Sequence, residues 1–226
     1  MIDAMEQLEA LADPARAIGL RSYHKADRVY LGLTNPQINT LAQDWRQELE
    51  LADRVALADS LWRTDIFEAR LAAAKLLTQA RMRPDDSAAW ALIASWAPDF
   101  DSWGIADHAC MASQKRLVAD PNRLDEVETW TTSENLWVRR AALVVTLPWT
   151  KQNHPKPDES AARARILTWV ATYVPDHKWF IQKAIATWLR ELSKHDPDAT
   201  RAFLAEHGPQ MKAFAAKEAA RQLPKT

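Results

Sequence analysis

Val138-Arg139-Arg140-Ala141-Ala142 combines one apolar residue, two charged positions and two small residues, and similar segments recur along the chain. The related segments are Ala69-Arg70-Leu71-Ala72-Ala73, Ile105-Ala106-Asp107-His108-Ala109 and Ile181-Gln182-Lys183-Ala184-Ile185. They start at residues 69, 105, 138 and 181, so successive starts are 36, 33 and 43 residues apart. Periods of this length are typical of two-helix repeats of the HEAT or armadillo kind. We therefore predict an all-α fold, a HEAT-like helical-repeat solenoid.

The breakers between the apolar stretches favour helices joined by short turns. The chain of 226 residues has only 4 glycines, and its 12 prolines fall between apolar-periodic segments. We predict helices over residues 2–12, 14–24, 36–49, 51–63, 65–81, 86–96, 101–118, 123–132, 134–147, 159–173, 177–194, 198–206 and 210–222. Asn35-Pro36, Asp85-Asp86-Ser87 and Asp176 look like helix starts, and 151–160 is the one obvious loop. Together these helices form a single predicted domain, residues 1–226.

Polar residues occupy one equivalent position of the repeat. In a helical solenoid the second helix of each pair usually lines the concave face. The third position of the pattern reads Leu71, Asp107, Arg140 and Lys183, so we expect these residues to line that face. Trp103 and Trp179 precede Asp107 and Lys183 by four residues, on the same side of a helix. Such charges often only solvate a surface, and tryptophans are often core, so the pattern alone leaves the purpose of this groove open.

The charge of the chain is unevenly distributed. The net charge is −1, which argues weakly against a nucleic-acid binder. Residues 1–133 nevertheless hold 14 Lys/Arg against 21 Asp/Glu, whereas residues 134–226 hold 15 against 9. The C-terminal part is therefore a candidate polyanion-binding surface.

The cysteine and histidine content predicts neither a disulfide nor a metal site. Cys110 is the only cysteine, and it lies in an apolar helix where we expect it to be packed. The histidines are too dispersed for a metal site, and no glycine-rich phosphate loop is present, so we expect no metal and no cofactor. The N-terminus carries acidic residues and no apolar run reaches membrane-spanning length. We expect a cytoplasmic protein without membrane contact.

A carboxylate beside indole rings and cations suits a substrate that is cationic in one place and anionic in another. DNA with a purine methylated at N3 or N7 fits, because the charged base is attracted to a tryptophan face while Arg and Lys hold the phosphates. The positive charge also makes the base a good leaving group, so the general acid of a glycosidase becomes unnecessary. One Asp would then stabilise the oxocarbenium-like sugar and orient water.

Five stretches resemble one known family. They are Ser102-Trp103-x-x-x-Asp107, Asn135-Leu136-Trp137-Val138-Arg139-Arg140, Phe180-Ile181-Gln182-Lys183-Ala184-Ile185, Tyr30-Leu31-Gly32-Leu33 followed by Pro36, and Leu61-Trp62 followed by Glu68. In this order they are similar to signature stretches of the AlkD-type DNA alkylation repair proteins, over roughly residues 22–206. The resemblance implies a HEAT-like-repeat glycosylase that excises N3- and N7-alkylpurines from double-stranded DNA without trapping the base in a pocket.

The resemblance also implies roles for individual residues. Asp107 matches the catalytic carboxylate, Trp103 matches one of two aromatic residues that approach the lesion, and Arg140 matches an arginine near the DNA backbone. Arg139 is an additional cation that is expected to share that task. Lys183, at the third position of the repeat, and Tyr23 complete the expected contacts to DNA.

The match breaks at the second active-site tryptophan, which aligns with Thr187. Trp188 follows one residue later, about 100° around the helix, and is therefore expected in the core. Thr187 and Trp179 are predicted to face the DNA, with Trp179 supplying an aromatic surface in place of the missing ring. This departure predicts weakened rather than abolished excision.

Two other functions remain open. The chain is an alternative candidate for a catalytically weak or inactive DNA-binding protein that recognises distorted or branched duplexes, or for a protein-binding HEAT scaffold. A catalytic His-Asp pair is not expected, because His108 points about 100° away from Asp107 on a helix. We expect a monomer whose partner is double-stranded DNA containing alkylated bases.

Overall fold

The computed structural model describes residues 3–224, and the regular secondary structure of this part of the chain is helical. Its α-helices are α1 (Ala4–Glu9), α2 (Pro14–His24), α3 (Asn35–Glu48), α4 (Leu51–Trp62), α5 (Phe67–Leu76), α6 (Ser87–Ser95), α7 (Trp103–Ala119), α8 (Leu124–Trp130), α9 (Leu136–Val145), α10 (Pro157–Tyr173), α11 (Trp179–Ser193), α12 (Pro197–His207) and α13 (Ala213–Ala220). Extended pairing within residues 3–224 amounts to one isolated bridge, Val29 with Ile66. The all-α prediction is confirmed.

The predicted helix over 65–81 is too long at both ends. The backbone before α5 pairs with another segment: the amide of Val29 donates to the carbonyl oxygen of Asp65 at 3.0 Å, and the amide of Phe67 donates to that of Val29 at 2.9 Å. At the other end, Leu77 leaves the helical region with φ −96° and ψ 3°. Local periodicity could not predict the later start of α5, because the backbone pairing that causes it involves a partner 37 residues away in the sequence.

The predicted loop over 151–160 is also too long, because α10 begins at Pro157. Proline is favoured in the first turn of a helix, where its missing N–H group is not needed. The side chain of Glu159 accepts a hydrogen bond from the backbone amide of Lys156 at 2.7 Å, which closes that turn. The helix starts predicted at Asn35-Pro36 and Asp85-Asp86-Ser87 are confirmed, while Asp176 lies just ahead of α11 and accepts from the amide of Lys178 at 3.0 Å.

The helices fall into two compact units. The N-terminal unit spans Met1–Pro121 and has α5 at its centre, packed against α3, α4 and α7. Every residue of α5 except Lys75 is buried. The C-terminal unit spans Asn122–Thr226 and is organised around α11, which packs against α9, α12 and α13. The single domain over residues 1–226 stays a prediction.

The repeated pattern lies on α5, α7, α9 and α11, which are packed pairwise within each unit. Its first residue is buried in every case, at 0% exposure for Ala69, 1% for Ile105, 5% for Val138 and 0% for Ile181. The third position is buried in α5, as Leu71, and half-buried in the other three helices. The pattern therefore separates a packed side of each helix from a side that presents Asp107, Arg140 or Lys183.

Candidate functional site

Trp103 and Asp107 lie one turn apart at the start of α7. The hydroxyl of Ser102 caps this helix by accepting from the amide of Ile105 at 3.5 Å, which fixes where the first turn begins. Residues four apart project from the same side of a helix, so the indole and the carboxylate are neighbours. Both side chains are half-buried, and Met111 one turn further along is 49% exposed. An aromatic face and a carboxylate thus lie together on a partly accessible surface.

Trp103 is held by aromatic rings from the end of α2. Its ring packs edge-on against Tyr23, with centroids 5.4 Å apart, and against the tilted ring of His24 at 4.8 Å. His24 in turn lies 4.4 Å from Phe67 on α5. Ring pairs at these separations contribute about 0.5–1.5 kcal/mol each beyond their area burial. The indole therefore belongs to a connected cluster, whose outermost member, Tyr23, is 66% exposed.

Gly104 allows this close packing. A Cβ atom at Gly104 would lie 2.7 Å from Nδ1 of His24 and 2.8 Å from Cζ of Phe67, which is closer than such atoms can approach. The absence of a side chain therefore lets His24 enter between α7 and α5. Sequence reasoning found Tyr23 but missed His24, Phe67 and Gly104. One feature of the sequence could have indicated this close packing: Gly104 is one of only four glycines and lies inside a predicted helix.

A buried carboxylate fixes the segment that follows α2. Glu68 is 1% exposed, and its two oxygens accept from the amide of Leu31 at 3.0 Å and from that of Gly32 at 2.8 Å. Gly32 has φ +88°, and a Cβ there would lie 2.0 Å from the carbonyl oxygen of Asp13. Hydrogen bonds to a charged group are worth about 1.5–3 kcal/mol each. This clamp ties the loop after Tyr23 to α5.

Burial disfavours the charged form of two histidines that contact the start of α7, His24 and His108. Burial lowers the pKa of His108, and burial together with the nearby His108 lowers the pKa of His24. His108 Nδ1 donates to the carbonyl oxygen of Gly104 at 2.7 Å, and its Nε2 lies 3.3 Å from Oδ1 of Asn35. As predicted, His108 does not hydrogen-bond to Asp107. Nδ1 of His24 is buried, and no described residue forms a hydrogen bond with it.

In the C-terminal unit, Arg140 on α9 and Lys183 on α11 are half-buried. Arg190 is the main cause of a lowered pKa at the Glu218 carboxyl group, and Lys183 is among the other cations that contribute. Lys183 is therefore near Glu218 of α13. These two cations occupy the third position of the pattern in two helices that pack against each other.

Arg139 has several hydrogen-bond partners within the protein. Its guanidinium donates to the carbonyl oxygens of Ser133 at 2.6 Å and Glu134 at 3.0 Å, and it pairs with Asp176 at 3.0 Å. Its side chain is only 14% exposed. Arg139 thus joins the start of α9 to the segment before α11. Its expected contact with DNA stays a prediction.

The tryptophans of α11 have opposite environments. Trp188 is fully buried and its Nε1 donates to Oγ1 of Thr146 at 3.2 Å, so the core prediction is confirmed. Thr187 is half-buried. Trp179 is 52% exposed, and its ring stacks on Phe214 of α13 with centroids 6.1 Å apart. An exposed aromatic surface is therefore present one turn before Lys183.

Within residues 3–224 there is no group of three or more His, Cys, Asp or Glu side chains placed to hold a metal ion. Cys110 is buried, as predicted. None of the helices in the described part of the chain combines the length and the apolar character needed to cross a lipid bilayer.

Residues 4–223 match the model of a family described as DNA alkylation repair enzyme. A predicted DNA alkylation repair enzyme from Enterococcus faecalis superposes with a TM-score of 0.76 at 19% identity, covering 95% of this chain and 98% of that one. AlkD2 from Streptococcus mutans superposes with a TM-score of 0.62 at 17% identity, covering 85% and 92%. No curated protein matches. At these identities the superpositions support the fold, whereas the family match spans nearly the whole chain. The chain belongs to the DNA alkylation repair enzyme family.

Proposed function

We propose that this protein is a monofunctional DNA glycosylase that hydrolyses the N-glycosidic bond of cationic N3- and N7-alkylpurines in duplex DNA. One observation carries the proposal: Asp107 lies one turn after Trp103, whose ring is held by Tyr23 and His24. Family membership supports DNA as the substrate.

The ring of Trp103 has the chemistry to attract the damaged base. An alkylated purine carries a positive charge, and the face of an indole is the preferred aromatic partner of a cation. Such contacts are worth about 0.5–1 kcal/mol at exposed sites and about 2 kcal/mol when desolvated. Because Trp103 is half-buried and packed on two other rings, its face is presented in one orientation. A ring so fixed needs little ordering when the base arrives.

Asp107 would act on the sugar. As the bond between C1′ and the purine nitrogen breaks, its electron pair neutralises the base, which leaves without a proton, and positive charge develops on the sugar. The Asp107 carboxylate stabilises that charge and orients a water molecule towards C1′. The proton of the attacking water passes to the carboxylate and then to solvent.

Cations and an aromatic surface of the C-terminal unit would bind the duplex. Arg140 and Lys183 are half-buried, and residues 134–226 carry an excess of positive charge. Each phosphate that such side chains neutralise releases counterions, so binding should weaken steeply as salt rises. Trp179 offers an exposed ring one turn before Lys183. With Thr187 where an aromatic ring was expected, we expect slower excision.

A second candidate is a DNA-binding protein without excision. It is favoured by the burial of Trp188 and by the threonine at 187, because the C-terminal unit then supplies no ring at the expected position. This candidate predicts salt-dependent binding to DNA and no release of bases.

The test is the release of 7-methylguanine and 3-methyladenine from a methylated duplex, measured against the spontaneous rate. We expect release by the wild type and a loss of about 10²-fold or more in Asp107→Asn, the range seen when one electrostatic stabiliser is removed. Asp53→Asn is the matched control, since it makes the same change on the exposed surface of α4. Release at the spontaneous rate by wild type that binds DNA would favour the second candidate.

A further inference from the structure

Helices α3, α5 and α7 of the N-terminal unit enclose a pocket of about 220 Å³. Its polar lining consists of Asn39, Gln43, Arg46, Lys75, Thr78 and His108, and none of the lining residues is acidic. A water molecule takes up about 30 Å³ in the liquid, so this volume accommodates a tetrahedral anion together with several waters. The N-terminal unit as a whole has an excess of acidic residues. The lining of this pocket differs from it, because it contains two cations and no carboxylate.

Lys75 is the one residue of α5 that is not buried, and it points into this pocket. Its ammonium donates to Oδ1 of Asn39 at 2.7 Å, which uses one of its three donors. No carboxylate within residues 3–224 forms an ion pair with it. Burial lowers the pKa of Lys75, which shows that the charged form is disfavoured by its surroundings.

Arg46 contributes the second cation. Its Nε donates to the carbonyl oxygen of Ala42 at 3.1 Å, and no ion pair with a described carboxylate engages the rest of the guanidinium. Burial and the nearby Arg54 both lower the pKa of Arg46. Two partly buried cations that line one concave site without an acidic neighbour in its lining would be stabilised by an anion bound there.

We propose that this pocket binds a phosphate group, with Lys75 and Arg46 as the charged contacts. Phosphate matches the lining, because amide groups of Asn39 and Gln43 add neutral donors beside the two cations. The pocket also adjoins the candidate site: His108 and Met111 line it and follow Asp107 on α7. The phosphate is either a backbone phosphodiester of the bound duplex or a free phosphate, and only the first rests on the proposed function.

The first arm of the test measures the affinity for an unmodified duplex between 50 and 200 mM salt. Loss of one phosphate contact lowers the slope of log K against log salt by about 0.9, so the ratio of the two affinities falls by a factor of about 3.5. We expect this change in Lys75→Gln and in Arg46→Gln. Lys115→Gln is the matched control, because it removes an exposed charge of α7 outside the pocket.

The second arm titrates inorganic phosphate into the same proteins and measures heat or ³¹P line broadening. A free-phosphate site gives saturable binding in wild type and Lys115→Gln, and at least tenfold weaker binding in the two pocket variants. If neither the salt slope nor phosphate binding changes beyond the control, the proposal is overturned. Urea midpoints check folding, and either pocket variant alone suffices if the other fails to fold. The duplex carries no damaged base, so failure of excision leaves this result unaffected.

Discussion

Trp103 and Trp179 each lie one helical turn before a third-position residue of the repeated pattern, yet their surroundings differ. Trp103 precedes Asp107 and is packed between Tyr23 and His24. Trp179 precedes Lys183, is 52% exposed, and packs against Phe180 with ring centroids 4.9 Å apart and against Phe214 at 6.1 Å. Both indoles thus contact two other rings, but Trp103 is half-buried whereas about half of Trp179 is exposed to solvent.

On the basis of this difference we propose different tasks for the two units. A ring held beside a carboxylate suits chemistry, because a reacting group must be positioned before the transition state forms. An exposed ring beside a lysine suits binding to a polyanion, where stacking and charge tolerate varied geometry. In our account the N-terminal unit carries the excision step and the C-terminal unit holds the duplex.

We expect the largest effect on stability at Gly104, whose missing side chain allows the close packing of the N-terminal unit. Gly104→Ala places a Cβ against His24 and Phe67, so we expect the free energy of unfolding to fall by about 1–3 kcal/mol, as for other overpacked sites. Gly208→Ala is the control in the C-terminal unit, because its Cβ would meet only Leu204 at 3.8 Å. Gly208 has helical φ and ψ, so alanine should stabilise by about 0.4–1 kcal/mol. Urea unfolding measures both, and equal effects would contradict the packed environment of Gly104.

The next effect compares the two indoles in excision. Trp103→Ala should lower the release of 7-methylguanine by up to about thirtyfold, since its half-buried ring reaches the upper range of about 2 kcal/mol. Trp179→Ala should lower it by only about two- to fivefold, as expected for an exposed ring. Release rates at protein concentrations below saturation measure both losses, because binding and chemistry both contribute to the rate there. If the release rate fell more in Trp179→Ala than in Trp103→Ala, the proposed assignment of excision to the N-terminal unit would be contradicted.

The smallest effect concerns pH. Burial lowers the pKa of His24 below its usual 6.5, so the stabilisation from the neutral ring is present above that pH and is lost as pH falls below it. We expect His24→Phe, which keeps a ring in the cluster, to lose less unfolding free energy between pH 7.5 and 5.5 than wild type. His154→Phe, at an exposed loop residue of the C-terminal unit, should follow the wild type. If the unfolding free energies of His24→Phe and wild type changed equally with pH, His24 would not contribute to the pH dependence of stability.

Local patterns predicted the helices well, because apolar periodicity and capping side chains act over a few residues. Trp188 was predicted to be core from its angle on α11 alone, and it is fully buried. Contacts between distant segments could not be read in this way. His24 packs on Trp103 some 79 residues further along, and Arg139 is held by Asp176 after 37 residues. In both cases the packing of helices brings the two residues together, and a local sequence pattern contains no information about that packing.

The central claim is that Asp107 acts in chemistry and Lys183 in binding. The most direct test is single-turnover release of 7-methylguanine at increasing protein concentration, which separates the maximal rate from the half-saturating concentration. We predict that Asp107→Asn lowers the maximal rate by about 10²-fold or more with little change in half-saturation. Lys183→Gln should raise the half-saturating concentration and leave the maximal rate unchanged. A normal maximal rate in Asp107→Asn would contradict the account.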